Sequence, residues 1–370
     1  MADLSHPLGP EVPPGHPAHE WVQRIVHAVA QRTGRPTSWN GRLYEEPSYA
    51  AMATARPDHS LAGGVDDVIR PLQNAATAGR YEAFPLRAAV AAVAHEAIHL
   101  SSEYGDGASD AEVGEVALDE GLTEAWTLAN VDGVLTDIGM DRQVPSIVSQ
   151  HTVDSYPTYT AATNELTRGL SEASGMPPDQ VRDHLLNTPR SERWNAAADL
   201  VIDGQLGGQL HPEDRAELRK HLVPEMRGGF EKLPAVQWGY DLDTEKAAQG
   251  QQIGQQAIEG LKATTGRLQA QYTQSPGQPL SPAPDRPPVY VTENSGRLEA
   301  PPPLPVSTEP KRSMQELMAA QREKAKAPLN VLDGQAPASG AVSKPAAPQA
   351  APNAVRPTGP QQDKGGRSVD

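Results

Sequence analysis

The distribution of proline divides this 370-residue chain into two parts of different character. Half of the 36 prolines, 18 of them, fall in the last hundred residues, from residue 271 onward. Proline fixes φ and removes a backbone donor, so a segment this rich in it favours an extended chain without a core. We therefore predict a folded body of about 240 to 270 residues, large enough to bury an interior, followed by a disordered Pro-rich tail.

The same shifts in composition predict the remaining boundaries. We expect a flexible N-terminus over residues 1–15, one folded domain over 16–235, and a Gln-rich segment over 236–272 that can form a helix. The Pro-rich tail covers 273–370, with a short helical island near 313–326. Such tails serve as linkers or dock protein partners in an extended form, so a protein partner for the tail is one hypothesis.

The body is predicted to be mostly helical. Only 37% of the residues are hydrophobic and 4% aromatic, so its interior depends on small aliphatic side chains, which suit closely packed helices. Apolar residues at helical spacing predict a first helix near residues 18–32. A small β-sheet is expected only in the 36–55 region, where Asn40-Gly41 marks a turn.

Charge and residue content exclude several classes of protein. From residue 271 on there are 9 acidic and 11 basic residues, which leaves the body with 38 acidic and 21 basic, or about −17. Such a body repels a phosphate backbone, so we expect no nucleic-acid partner. No apolar run is long enough for a membrane span, and no secretory signal is visible. We expect a cytoplasmic protein, or one exported by a signal-independent secretion or injection system.

The stretch AAVAHEAIHL, residues 91–100, carries the strongest chemical signal. His95 and His99 are four residues apart, so on a helix both face the same side and can bind one ion. Glu96 follows His95 and is placed to act on a water at that ion, the His-Glu-x-x-His arrangement of zinc metalloproteases. Because the chain has no cysteine, a metal must be held by His, Asp or Glu. The alternative is an alanine-rich core helix that carries two histidines.

A second helix supplies the missing ligand. In LDEGLTEAW, residues 118–126, Glu120 can complete a three-ligand site that leaves a fourth position open to water. Glu124, one turn further on, can accept a hydrogen bond from a ligand histidine and fix its orientation. Glu115 and Asp119 remain alternatives for the third ligand, and Glu120 and Glu124 could instead form a solvated helix face.

These residues resemble the gluzincin metallopeptidases. That clan combines a His-Glu-x-x-His helix with a ligand glutamate on a following helix, and DEGLTEAW is similar to its Asn-Glu-Gly-x-x-Glu-Tyr segment. Asp119 replaces the asparagine, and Trp126, one residue beyond the tyrosine position, is the nearest aromatic residue, which leaves the subfamily open. The match covers residues 95–124. It implies a zincin-like metallopeptidase domain over 16–235, with Zn²⁺ held by His95, His99 and Glu120.

The implied activity is hydrolysis of peptide bonds in a peptide or protein substrate. Zinc lowers the pKa of a water, Glu96 removes its proton, and a further donor stabilises the oxyanion. We choose Tyr159 as that donor because it is expected on the first turn of a helix. The other candidates for this role are Tyr156, His151 and His184.

Two rival hypotheses belong to other classes. The protein could be a non-enzymatic interaction protein whose metal site is structural or vestigial and whose Pro-rich tail binds a partner. It could also be an effector or toxin delivered to another cell or compartment, with the tail as the delivery segment. Glu96 separates hydrolysis from a structural site, because a structural metal does not need it.

Overall fold

The computed structural model describes residues 9–46, 52–76, 81–101, 112–207 and 212–274. All of them belong to one compact unit, Met1–Leu304. The described part is mostly helical and contains one small sheet, as the sequence predicts. The predicted tail from residue 275 on and its helical island near 313–326 lie outside the described residues.

Helices build most of the body, and their bounds agree with the apolar spacing. The first runs over Pro17–Thr33, where the sequence predicts a helix at 18–32, and it ends at Gly34, whose φ of 67° is readily adopted only without a Cβ. The α-helices are α1 Pro17–Thr33, α2 Arg70–Ala75, α3 Ala83–His99, α4 Val113–Asp137, α5 Met140–Gln143, α6 Pro157–Ser174, α7 Pro178–Asn187, α8 Arg193–Val201, α9 Pro212–Phe230, α10 Leu233–Gln237 and α11 Asp243–Gln274.

Short turns of other helix types extend this set. Val65–Ile69 and Ile202–Leu206 are π-helical, and each joins an α-helix end to end. Pro145–Ser149 and Arg190–Glu192 are 3₁₀-helical.

The sheet has four short strands in the order β1-β2-β4-β3. They are β1 Glu11–Val12, β2 Leu43–Glu46, β3 Ala53–Ala55 and β4 Leu61–Gly64. β2 and β4 pair in parallel, while β1 and β3 pair antiparallel at the two edges. The sheet predicted within 36–55 is therefore present but extends beyond that range. Residues 11 and 12, expected to be flexible, pair instead with Tyr44 and Leu43.

The buried centre lies where α3 meets α4. α3 presents mainly alanine and valine to its neighbours, and its side chains from Leu86 to Ile98 are largely buried. His95 contacts Glu124, whereas His99 contacts Asp119 and Glu120. Since later residues of one helix meet earlier residues of the other, the two helices run antiparallel, as expected for sequential neighbours.

The Gln-rich segment forms α11, which packs along α6 and α9 inside the same compact unit. Its buried side includes Gly250, Gly254, Ile258 and Leu261. A domain boundary at residue 235 therefore does not separate this helix from the body. Among the described helices, none combines the length and the apolar character that crossing a bilayer requires.

Candidate metal centre

Three side chains from α3 and α4 point their donor atoms at one place. The Nε2 atoms of His95 and His99 are 3.1 Å apart. Oε2 of Glu120 lies 3.1 Å from the first and 3.5 Å from the second. One donor atom from each residue falls within 4.8 Å of the others, so the group could hold a metal ion. Two imidazole nitrogens and one carboxylate oxygen are a donor set that suits Zn²⁺.

The opposite nitrogens of both histidines face carboxylates of α4. His95 Nδ1 is 2.8 Å from Oε2 of Glu124, and His99 Nδ1 is 3.4 Å from Oδ2 of Asp119. The other Glu124 oxygen accepts a hydrogen bond of 2.8 Å from the backbone N–H of Ser155. The structure thus places Glu124 behind His95, on the nitrogen that points away from Glu120. Such outer carboxylates fix the imidazole tautomer and its orientation.

Asp119 has the same position relative to His99, and a buried cation anchors it. The Arg193 guanidinium, only 1% exposed, donates a short hydrogen bond to Asp119 and a second, of 3.2 Å, to the carbonyl of Thr188. Although burial opposes it, the charge of Arg193 holds the pKa of Asp119 well below its usual range. Asp119 therefore faces the outer side of His99, and neither it nor Glu115 joins the three-residue group.

Nothing local in the sequence pointed to Arg193. It lies 74 residues after Asp119 and on a different helix, α8. Only folding brings the two together.

The pKa values of His95 and Glu120 are both shifted by the side chains around them. Burial lowers the pKa of His95, but hydrogen bonds to Glu120 and Glu124 outweigh it and raise that pKa to about 9. Burial would raise the pKa of Glu120, yet the charges and hydrogen bonds of both histidines lower it. Because histidine binds a metal through a neutral imidazole nitrogen, a cation bound here would have to replace the His95 proton.

Glu96 lies beside this group without being one of its converging donors. Its Oε2 accepts a hydrogen bond of 2.6 Å from the backbone N–H of Ala55 on β3. Burial raises the pKa of Glu96, while the charges of His95 and His99 act in the opposite direction. No pattern in the sequence pointed to Ala55, because the contact comes from the backbone of a strand 41 residues earlier.

Two tyrosines cover the group from the start of α6. The ring of Tyr156 stacks on His95, with centroids 5.3 Å apart and an interplanar angle of 21°. Tyr159, on the first turn of α6 as predicted, stacks in turn on Tyr156 with centroids 5.8 Å apart. The charge of Glu120, together with burial, raises the pKa of Tyr156 well above its usual range. Tyr156 is thus the tyrosine in direct ring contact with the group.

The two other oxyanion donors considered from the sequence are exposed. His151 packs against Phe84 with ring centroids 5.1 Å apart, and His184 lies on α7.

Solvent approaches the group from one side. The side chains of His95 and His99 are 6% and 5% exposed, whereas that of Glu120 is 23% exposed. A ligand or substrate would therefore reach the site on the side of Glu120.

No protein-family model, curated protein or solved structure matches this chain. The resemblance to gluzincins therefore stays a prediction from the sequence of residues 95–124.

Proposed function

We propose that this protein is a zinc-dependent metallopeptidase with a gluzincin-like site. The observation that carries the proposal is the convergence of His95 Nε2, His99 Nε2 and Glu120 Oε2, with the Glu96 carboxylate beside them. A purely structural zinc site is usually closed by four protein ligands. Here the described residues supply three, which favours a site that keeps a position for a reacting molecule.

Each residue of the site has its own role in hydrolysis. Zinc, when bound, supplies Lewis-acid chemistry that lowers the pKa of a water and polarises a carbonyl. Glu96 accepts the proton of the attacking water and returns it to the leaving amine. Its raised pKa favours holding that proton between the two steps, and the Ala55 N–H keeps its carboxylate oriented. Glu124 and Asp119 keep the histidines aimed at the metal.

A peptide substrate is supported by the strand beside Glu96. β3 is at the edge of the sheet. The carbonyl of Met52 accepts a hydrogen bond from the N–H of Gly64, and the N–H of Arg56 donates one to the carbonyl of Ser60. Both residues thus turn these backbone groups toward β4. The alternate residue Ala55 instead directs its N–H away from β4, to Glu96. An extended chain that pairs along this edge would bring its carbonyls to the site, the mode of strand addition used by many peptide binders.

The proposal is tested by metal content and peptide cleavage measured on the same samples. We expect about one zinc per chain in the wild type, by analogy with single-metal catalytic sites. Glu96→Gln should retain the zinc and lose cleavage by roughly 10²-fold or more, the usual contribution of a general base. Glu120→Ala should lose both. Glu115→Gln, on the same helix but outside the group, is the matched control and should resemble the wild type.

Absence of zinc from the wild type, or equal zinc in all variants, would contradict the proposal. The interaction-protein hypothesis would then take its place. Delivery as an effector or toxin and a location in the cytoplasm are not affected by this experiment and stay predictions from the sequence.

The same assay separates the two tyrosines. Tyr159 is the oxyanion donor predicted from the sequence, whereas Tyr156 is the one in ring contact with His95. Tyr156→Phe and Tyr159→Phe each remove one hydroxyl and retain the ring. The variant whose kcat falls while its zinc content is unchanged identifies the donor.

A further inference from the structure

Exposed large apolar side chains are concentrated in one loop, and one of them, Trp238, contacts a tyrosine that stacks on His95. Within the described ranges five such residues occur, and three of them lie in one loop between α10 and α11. We call this set the apolar rim: Trp238, Tyr240 and Leu242, which are 48%, 71% and 68% exposed. Single exposed apolar residues are ordinary, but a cluster of them beside a site indicates a binding surface.

Ring contacts connect the rim to the metal ligands. Trp238 meets Tyr156 edge to face, with centroids 6.5 Å apart, and Tyr156 stacks on His95. Trp238 also forms a side-chain hydrogen bond with Tyr159. One ring, that of Tyr156, therefore separates the half-exposed indole from His95.

A buried glutamine fixes the position of Trp238. The preceding residue, Gln237, is only 4% exposed. Its side-chain carbonyl accepts the N–H of Thr158 and its amide donates to the carbonyl of Ser155, both at 3.1 Å. These two bonds join the end of α10 to the start of α6, where Tyr156 lies. Trp238 is thus held in place rather than left in a free loop, and a preorganised aromatic is an effective binding element.

We propose that the apolar rim receives a large aliphatic or aromatic side chain of the substrate, next to the bond that is cleaved. This inference rests on the proposed peptidase function and names its substrate class. The occupant is a substrate residue because Trp238 contacts Tyr156, which stacks on His95 and also lies close enough to Glu120, on the open side of the site, to feel its charge. Burial of such a side chain against indole and phenol rings supplies binding energy in proportion to the apolar area removed from water.

Acidic residues around the rim narrow the substrate further. Asp241 lies within it, Asp243 begins α11, and Asp154 is close enough to Asp243 for their charges to interact. Like charges would oppose an acidic residue in the substrate at this point. The preferred peptides therefore combine a large apolar residue with neutral or basic neighbours.

The test uses the zinc-loaded full chain and two series of peptides. In one series the residue before the cleaved bond is Phe, Leu or Gly, and in the other the residue after the bond is varied in the same way. We expect Trp238→Ala to lower kcat/KM for the apolar peptides, relative to that for the Gly peptides, about tenfold or more, the range for lost apolar contacts. Trp238→Phe should recover part of the preference. Val148→Ala, at a residue that is also 48% exposed but lies outside the rim, is the matched control.

A second measurement does not depend on catalysis. Binding of the same fluorescently labelled peptides to Glu96→Gln is followed by anisotropy, with and without Trp238→Ala. Tyr240→Ser and Leu242→Ser provide variants at highly exposed positions, in case Trp238→Ala does not fold. We expect the binding preference for apolar peptides to decrease in each rim variant.

The outcomes separate the two proposals. If cleavage occurs but the rim variants keep the wild-type preference, the rim assignment is overturned and the peptidase proposal stands. If rim-dependent binding occurs without any cleavage by the zinc-loaded wild type, the rim is correct and hydrolysis is not. If apolar peptides neither bind preferentially nor are cleaved preferentially, the rim assignment is wrong.

Discussion

At the scale of single residues, anchored carboxylates determine how the histidines are presented. His95 Nδ1 faces Glu124, which is held by the Ser155 N–H, and His99 Nδ1 faces Asp119, which is held by Arg193. Both Nε2 atoms are thereby left for a common partner. A cation could then bind without any reorientation of the rings, because the outer contacts already fix them.

Asp154 gives a prediction about pH. Burial raises its pKa to about 6, and the charges of Glu124 and Asp243 act in the same direction. In the unfolded chain an aspartate has a pKa near 3.9, so between about pH 4 and 6 the folded state holds a proton that the unfolded state has lost. This residue's contribution to the free energy of unfolding is therefore favourable at low pH and decreases as pH rises through this window.

Asp154→Asn should remove that decrease, because the amide oxygen can still accept from the Tyr156 N–H and the Thr160 hydroxyl. We expect the variant to gain stability relative to the wild type between about pH 4 and 6, by about 1–2 kcal/mol at most. Urea unfolding at pH 4, 5, 6 and 7, in chelator throughout, measures it. The exposed Asp183→Asn should follow the wild-type curve, and a pH-independent difference at Asp154 would contradict the assignment.

At the scale of helices, close contact between α11 and α6 supports the start of α6, where the two tyrosines lie. Gly250 and Gly254 are on the buried side of α11. A Cβ at Gly254 would come within 2.7 Å of the carbonyl oxygen of Ala162, and one at Gly250 would overlap that of Thr158. These glycines let the two backbones approach more closely than any side chain would allow.

We therefore expect Gly250→Ala to destabilise the protein by about 1–3 kcal/mol, the usual cost of overpacking. Gly266→Ala is the matched control in the same helix, since nothing lies within 4 Å of its added Cβ. There the higher helix propensity of alanine should stabilise by about 0.5–1 kcal/mol. Urea unfolding measures whether the free energy of unfolding of each variant is lower or higher than that of the wild type. Equal changes in the two variants would show that α11 does not pack on α6 as described.

At the scale of the whole molecule, the chain concentrates negative charge in its interior. Its formal net charge is −15, and Asp119, Glu120 and Glu124 are all largely buried around two histidines. Arg193 compensates one of these carboxylates. A divalent cation at the three converging donors would compensate more of this charge, so the folded body should be more stable with metal than without it.

Zinc should accordingly raise the thermal unfolding temperature by several degrees over the chelator-treated protein, since a ligand at 1,000 times its Kd adds about 4 kcal/mol. Differential scanning calorimetry at matched protein concentration checks this. Glu120→Ala should show little or no zinc-dependent shift. An equal shift in that variant would mean that the ion stabilises the protein from another site.

The sequence by itself determined the helical class and the first helix, and it predicted that His95, His99 and Glu120 converge, with Glu124 behind His95 and Glu96 beside them. Each of these depends on local spacing: four residues place two side chains on one helix face, and a proline-rich segment cannot form a core. The choice of Glu120 over Asp119 also followed from a local pattern.

Only the tertiary structure decided how that site is held. Arg193 reaches Asp119 from a helix 74 residues away, Ala55 reaches Glu96 from a strand, and Tyr156 rather than Tyr159 contacts His95. Such contacts join residues far apart in sequence, so no local periodicity encodes them. The same holds for Trp238: its side chain is visible in the sequence, but its place beside Tyr156 depends on how α10 docks on α6.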